Sequence, residues 1–253
     1  MPPSPALPLA DQAVLVTGGA RRLGAAIVRR LHAEGASVLI HYRGSRADAE
    51  RLAAELNSVR AHSAALHGAD LLDLGALPGI VGATLHAFGR LDVLVNNAST
   101  FYPTPLGQVT PEAFEDLIGS NLRAPLFLTQ AAAEALKARR GLVLNMVDIH
   151  ASRPLKRHPV YSAAKAGLVM LTKSLARELA PEVRVNAIAP GPVLWPEGDM
   201  DETLRQRILE RTALKRLGTP EDVARAALFF VKDAPYVTGQ VLAIDGGRSV
   251  GGL

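Results

Sequence analysis

The sequence predicts one α/β domain built on a doubly wound parallel sheet of about seven strands, with helices on both faces. Three observations predict it. Short, nearly continuous runs of Val, Leu and Ile alternate with longer helical stretches, as a parallel sheet buried on both faces requires. The strand–helix–strand order recurs along the chain, and right-handed crossovers turn such repeats into a doubly wound sheet. The 253 residues fit one large α/β domain as well as two small ones, and no internal repeat or low-complexity linker divides them.

The strand candidates are Ala13–Val16, Ser37–Tyr42, Ala64–His67, Val93–Asn96, Gly141–Met146, Arg184–Ala189 and Val241–Asp245. The helix candidates between them are Leu23–Glu34, Ser45–Leu56, Leu74–Phe88, Pro111–Arg139, Tyr161–Ala180 and Pro220–Val231. Ser45, three residues ahead of Asp48, reads as a capping box, and Gly35 as a helix stop. The least regular stretch, Gly191–Met200, precedes a polar helix, Asp201–Arg211. Ligands in a doubly wound fold sit beyond the carboxyl ends of the strands. Residues 191–212 are therefore expected to form a substrate lid, with a surface excursion of no role as the other reading. Residues 1–10, rich in proline, are expected to be a loose tail ahead of a single domain over 11–253.

Composition narrows the chemistry. Apolar residues make up 48% and charged residues 21%, which excludes disorder. Cysteine is absent, so disulfides, thiolate catalysis and Cys-based zinc sites are excluded. The seven histidines are dispersed; His150 and His158 flank the presumed site, but no pair has metal-ligand spacing with a supporting acid, and no metal is assigned. A formal charge of +4 is too small and scattered to indicate nucleic acid. It suits an anionic small molecule or a solvated basic surface. No apolar run is long enough to span a membrane and no signal peptide is evident, so a cytoplasmic protein is expected.

The first strand ends in Thr17-Gly18-Gly19-Ala20-Arg21-Arg22-Leu23-Gly24. Glycines at a strand-to-helix turn let the backbone approach a phosphate, and the helix N-terminus then offers free N–H groups. Two arginines add forked donors suited to pyrophosphate. Strand two ends in His41-Tyr42-Arg43-Gly44-Ser45. An acid there would hold the ribose hydroxyls of NAD, whereas Arg43 and Ser45 suit a 2′-phosphate, so NADPH is the expected cofactor. Tyr161 and Lys165 stand four apart and share a helix face. A lysine ammonium beside the phenol would favour phenolate and bring the tyrosine towards an acid/base range.

With these pieces the chain resembles the short-chain dehydrogenase/reductase family from Val14 to Gly247. The resemblance is carried by the glycine turn, Asp70, Asn96-Asn97-Ala98, Asn121, Tyr161-Ser-Ala-Ala-Lys165 and Pro190-Gly191. It implies a Rossmann fold. It implies that Tyr161 is the general acid, that Lys165 holds the ribose and tunes the tyrosine, and that Asn121 supports a water relay. It places cofactor contacts at Gly18, Arg21, Arg22 and Leu23 in the first turn and at His41, Tyr42, Arg43 and Ser45 after the second strand. Others fall on Asp70, Leu71, Asn97, Ala98, Ser99, Met146, Tyr161 and Lys165, and on Pro190, Gly191 and Val193.

Two departures from the family pattern stand out. Arg22 replaces a usual glycine, and Asp148, thirteen residues before Tyr161, replaces a usual serine. A hydroxyl would polarise a ketone; an ionised carboxylate only accepts, and so suits a substrate that presents N–H donors. Both departures resemble those of one branch, the pteridine reductases, as do Asn97 to Leu106 and Asn145-Met146-Val147-Asp148. The branch implies a pterin or folate substrate held by Arg22, Ser99, Phe101, Asp148, Tyr161 and Pro192. Phe101 would sandwich it against the nicotinamide, with Asp148 and Tyr161 delivering the proton. A carbonyl reductase and a non-catalytic NADP sensor are the alternatives. Trp195 fits either the pocket or plain packing. Arg153, Lys156 and Arg157 fit either a site for an acidic substrate tail, such as a folate glutamate, or a solvated loop. The family also implies a homotetramer paired through the helices 111–139 and 161–180.

Overall fold

The computed structural model describes residues 7–195 and 201–250. Seven strands form one parallel sheet: β1 (Ala13–Val16), β2 (Ser37–Tyr42), β3 (Ala64–Gly68), β4 (Val93–Asn96), β5 (Leu142–Met146), β6 (Arg184–Pro190) and β7 (Val241–Ile244). Their order is β3-β2-β1-β4-β5-β6-β7. The order reverses between β1 and β4, so the helices that follow these two strands leave to opposite faces and open a crevice at their carboxyl ends.

Successive side chains of a strand point to opposite faces. Val14 and Val16 accordingly pack with α1 (Arg22–Ala33), α2 (Arg46–Val59) and α8 (Pro220–Lys232) on one side. Leu15 and Leu94 pack with α3 (Leu77–Phe88) and α5 (Ala124–Lys137) on the other. Between α4 (Pro111–Ile118) and α5 lies a π-helical turn, Gly119–Arg123. Helices α6 (Pro159–Glu178) and α7 (Glu202–Glu210) complete the set. Among the described residues no helix is long and apolar enough to cross a membrane.

The structure corrects three expectations. The helix expected over 111–139 is broken at its middle. Pro125 has no N–H to return to the carbonyl of Asn121, so the α-helical pattern cannot run through this point, and the chain takes a π turn instead. The tail expected through residue 10 is docked by residue 7: Leu9 is fully buried and its N–H donates to the Glu34 carbonyl at 2.8 Å. Gly35, at φ +110°, is needed there, because a Cβ would lie 2.7 Å from that of Leu7. The capping box expected at Ser45 and Asp48 does not form. Asp48 turns to Arg51 and Arg21 instead, and the capping box is at Thr219 and Asp222 of α8.

Leu94 is fully buried in a central strand between two sheet neighbours. Leu94→Ala leaves a cavity the packed sheet cannot close, and should lower unfolding free energy by about 2–5 kcal/mol. A urea titration should show a lower midpoint at an unchanged slope.

Candidate active site

The glycine turn is shaped by contacts it makes with two neighbouring strands. Thr17 Oγ1 accepts from the N–H groups of Asn97 (2.9 Å) and Ala98 (3.0 Å). Asn97 Nδ2 donates to the carbonyls of Thr17 (2.8 Å) and Gly18 (3.1 Å). A Cβ on Gly24 would fall 2.2 Å from the Gly18 carbonyl, so helix and turn meet at backbone contact. Arg22 sits at φ +52°, a left-handed conformation that favours glycine. Here an arginine accepts that strain, and the turn gains a guanidinium.

His41 locks the turn from below. Its Nδ1 accepts from the Gly18 N–H at 3.2 Å, and its Nε2–H donates to the Ala69 carbonyl at 3.1 Å. Burial lowers its pKa to about 4, so the ring is neutral and keeps its acceptor nitrogen for Gly18. His41 thus positions the turn.

The cleft beside this turn has a volume of about 640 Å³ and is lined by Gly18, Arg21, Arg22, Leu23, His41, Arg43, Ser45, Asp70, Leu71, Asn97, Ala98 and Ser99, among others. Its floor is suited to a phosphate. Helix α1 starts without a side-chain cap and without an acid in its first turn, unlike α4, α7 and α8. The cationic rim is partly occupied: Arg43 lies 3.9 Å from Asp70 and Arg21 lies 3.8 Å from Asp48. These residues fit a nicotinamide dinucleotide. Tyr42 is not among the lining residues; its ring packs over Gly68.

The second half of the site lies between β5 and α6. The Asp148 side chain caps a 3-10 turn, Ile149–Ala151: its Oδ1 accepts from the His150 N–H at 2.8 Å. Its other oxygen accepts from the Tyr161 hydroxyl at 2.8 Å. Asp148 is thus at once a loop cap and a hydrogen-bond partner of the tyrosine. Lys165 is buried and donates to the Met146 carbonyl at 2.8 Å. Burial lowers its pKa to about 8.

The expected move of Tyr161 towards phenolate is reversed. Burial first, and then the carboxylate of Asp148, hold the phenol well above its ordinary pKa. Lys165 Nζ stands 5.7 Å from the ring centroid and does not offset them.

Asn121 sits in the π turn with its side chain facing the wall of the site. Its amide donates to the carbonyls of Thr100 (2.9 Å) and Leu117 (3.0 Å), and its oxygen accepts from Ser99 Oγ at 2.7 Å. The side chain is committed to holding Ser99 and Thr100, so it positions the wall of the site. Phe101 is half exposed, edge-on to Tyr161 at 4.8 Å. His158 stacks on it at 4.7 Å with the rings 8° from parallel.

Pro190 closes β6, and Val193 is buried in the core. Gly191 packs against Asp245, where a Cβ would come within 2.5 Å. Pro192 lines a second cavity of about 470 Å³ with Leu214, Arg216 and Asp245, apart from Phe101 and Tyr161. Trp195 gives its carbonyl to Arg22 at 3.1 Å and its ring to the Arg205 guanidinium at 5.7 Å. Of the expected lid, residues 196–200 lie outside the described residues. Thr17, Gly24 and His158 were not singled out from the sequence as site residues. Gly24 and Thr17 were visible in the turn motif, but their contacts are made across strands.

Residues 18–249 match the family model described as enoyl-(acyl carrier protein) reductase, and the chain belongs to the short-chain dehydrogenase/reductase family of oxidoreductases. Among its relatives is pteridine reductase 1 of Leishmania tarentolae, 38% identical over 99% of each chain. L-rhamnose 1-dehydrogenase (NAD(P)(+)) of Azotobacter vinelandii is 37% identical over 96% of this chain and 98% of its own. A 3-oxoacyl-(acyl-carrier-protein) reductase of Staphylococcus aureus is 33% identical over 93% and 97%.

Gly24→Ala should displace the Gly18 carbonyl and weaken binding of the nicotinamide dinucleotide by roughly tenfold or more, read by calorimetric titration, with the fold retained by circular dichroism. His41 gives a pH test. Its folded pKa lies below the unfolded value of about 6.5, so the unfolded chain binds the extra proton. Its contribution is complete above pH 6.5 and is lost as pH falls to about 4, a loss of about 3 kcal/mol. Urea midpoints across that range should fall more steeply for the wild type than for His41→Gln.

Proposed function

We propose that the protein is an NADPH-dependent pterin reductase. The observation that carries this reading is the contact between Tyr161 and Asp148. Asp148 presents a carboxylate where a ketone reductase needs a donor, and a carboxylate has nothing to give a carbonyl oxygen. The amino and N–H groups along one edge of a pterin are the donors it fits.

NADPH, when held by the glycine turn and the end of β2, would supply the hydride for a ring carbon of a C=N bond. The electron pair of that bond moves to nitrogen, which takes a proton. Tyr161 holds this proton. In the free protein its hydroxyl is turned to Asp148 at 2.8 Å. A substrate whose N–H groups occupy Asp148 frees the hydroxyl to turn towards the ring nitrogen and weakens the carboxylate's opposition to ionisation of the phenol. Lys165 then stands below the phenolate as a positive charge. Phe101 offers a half-exposed ring against which a flat heterocycle can lie. Ser99, held by Asn121, completes the wall. Arg43 and Ser45, at the end of β2, supply the 2′-phosphate contacts, and no acid stands at that strand end.

The relatives that act on 3-oxoacyl groups and on a sugar support a second reading, reduction or oxidation at an ordinary carbonyl or hydroxyl. Assembly as a homotetramer is supported by Phe114, Phe127 and Met170, exposed on α4, α5 and α6.

NADPH oxidation should be measured against dihydrobiopterin, dihydrofolate, acetoacetyl-CoA and L-rhamnonolactone. Turnover with a pterin is expected. Tyr161→Phe and Asp148→Ser should each lower kcat by roughly a hundredfold or more, and Phe101→Ala should mainly raise the pterin KM. Turnover of a ketone or lactone without pterin turnover, or full pterin activity in Asp148→Ser, excludes the reading.

A further inference from the structure

We propose that Asp48 sets how sharply the protein discriminates between NADP and NAD, by opposing the 2′-phosphate that only the first carries. This inference rests on the reading of the end of β2 as a 2′-phosphate site, and deepens it.

The charges that line the cleft are mixed. Arg21, Arg22, Arg43 and Arg46 line it, and so do two acids, Asp48 and Asp70. The acids are not equivalent. Asp70 is tied into its own turn: its Oδ1 accepts from the Leu72 N–H at 3.0 Å, and the same oxygen lies 3.9 Å from Arg43. Asp48 stands between two guanidiniums from different elements. Arg51 of α2 donates to its Oδ1, and Arg21 of the glycine turn lies 3.8 Å from its Oδ2. The Asp48 side chain is 31% exposed, against 56% for Arg21 and 73% for Arg51. The carboxylate is therefore the most sheltered charge of the three.

Its place on the helix acts in the same direction. The first turn of α2 borders the cleft from Ser45 to Asp48. Ser45 makes no side-chain cap bond, which leaves N–H groups of that turn to an anion. Asp48, the third residue of α2, is the acid of the turn. A carboxylate at this position stabilises the helix in the free protein and repels a phosphate brought to the same end.

NADP and NAD differ by the 2′-phosphate alone, which carries about two negative charges at pH 7. A charge that acts on this group acts on the difference between the two cofactors. Asp48 repels the phosphate and draws Arg21 away from it; neither effect reaches NAD. Arg43 and Ser45 supply the attraction and Asp48 the opposition, and the preference is the balance of the two.

The test is calorimetric titration of NADP+ and NAD+ into the wild type, Asp48→Asn and Glu55→Gln. Asparagine keeps the shape of aspartate and removes its charge. Glu55, farther along the same helix, pairs with Arg29 at 2.7 Å and does not line the cleft, so its variant controls for net charge. Asp48→Asn is expected to bind NADP+ about fivefold more tightly and NAD+ within about twofold of the wild type. The gain should shrink as salt is raised. Glu55→Gln should change neither affinity by more than about twofold. Unchanged or weaker NADP+ binding by Asp48→Asn, an equal gain for NAD+, or the same gain in Glu55→Gln overturns the role of Asp48 while the 2′-phosphate site stands. If neither the wild type nor Asp48→Asn favours NADP+ over NAD+, the 2′-phosphate reading fails and the role of Asp48 falls with it.

Discussion

A phenol and a carboxylate brought within hydrogen-bond distance at a buried position are the constraint on which the rest of the site depends. Either group alone would be ordinary. Together they fix each other: the carboxylate accepts the hydroxyl, and the phenol keeps its proton because it is buried, first, and because the carboxylate faces it. The pair is strong enough to oppose the lysine beneath it, whose charge is itself weakened by burial. In the free protein the hydroxyl of Tyr161 is therefore held on the carboxylate.

The cleft next to this pair is held by hydrogen bonds between buried polar groups. His41 remains neutral so that one nitrogen can hold the glycine turn and the other can reach β3. Thr17 and Asn97 close the turn onto β4. Beneath the site, Asn96 on β4 donates to Asn145 on β5, and Asn145 donates to Thr172 on α6. This buried chain ties the two central strands to the helix that carries Tyr161 and Lys165. The first turn of α1 has no side-chain cap and borders this cleft, so its N–H groups are open to a phosphate.

Much of this was legible in the residues. The strand runs were found within a residue or so, because strands buried on both faces leave continuous apolar segments. The glycine turn, Asp148, Tyr161 and Lys165 were legible as motifs, since their spacing is local. What was misread shares a cause. The capping box at Ser45 was overridden when Asp48 found two arginines, one of them on another element. The straight helix over 111–139 ignored Pro125, whose missing N–H was in the sequence to be seen. Leu9 read as tail because its partners lie beyond Glu34 and inside a core that only folding assembles.

The amino-acid sequence by itself determined the doubly wound sheet, the phosphate turn and the identity of the acid–phenol–lysine set, because periodicity and short-range spacing suffice for these. Tertiary structure alone decided the upward shift of the Tyr161 phenol, the tautomer of His41 and the stacking of His158 on Phe101. Those properties arise from burial and from groups distant in the chain. A charge loses its hydration and a ring gains its neighbour only when the strands have closed around them.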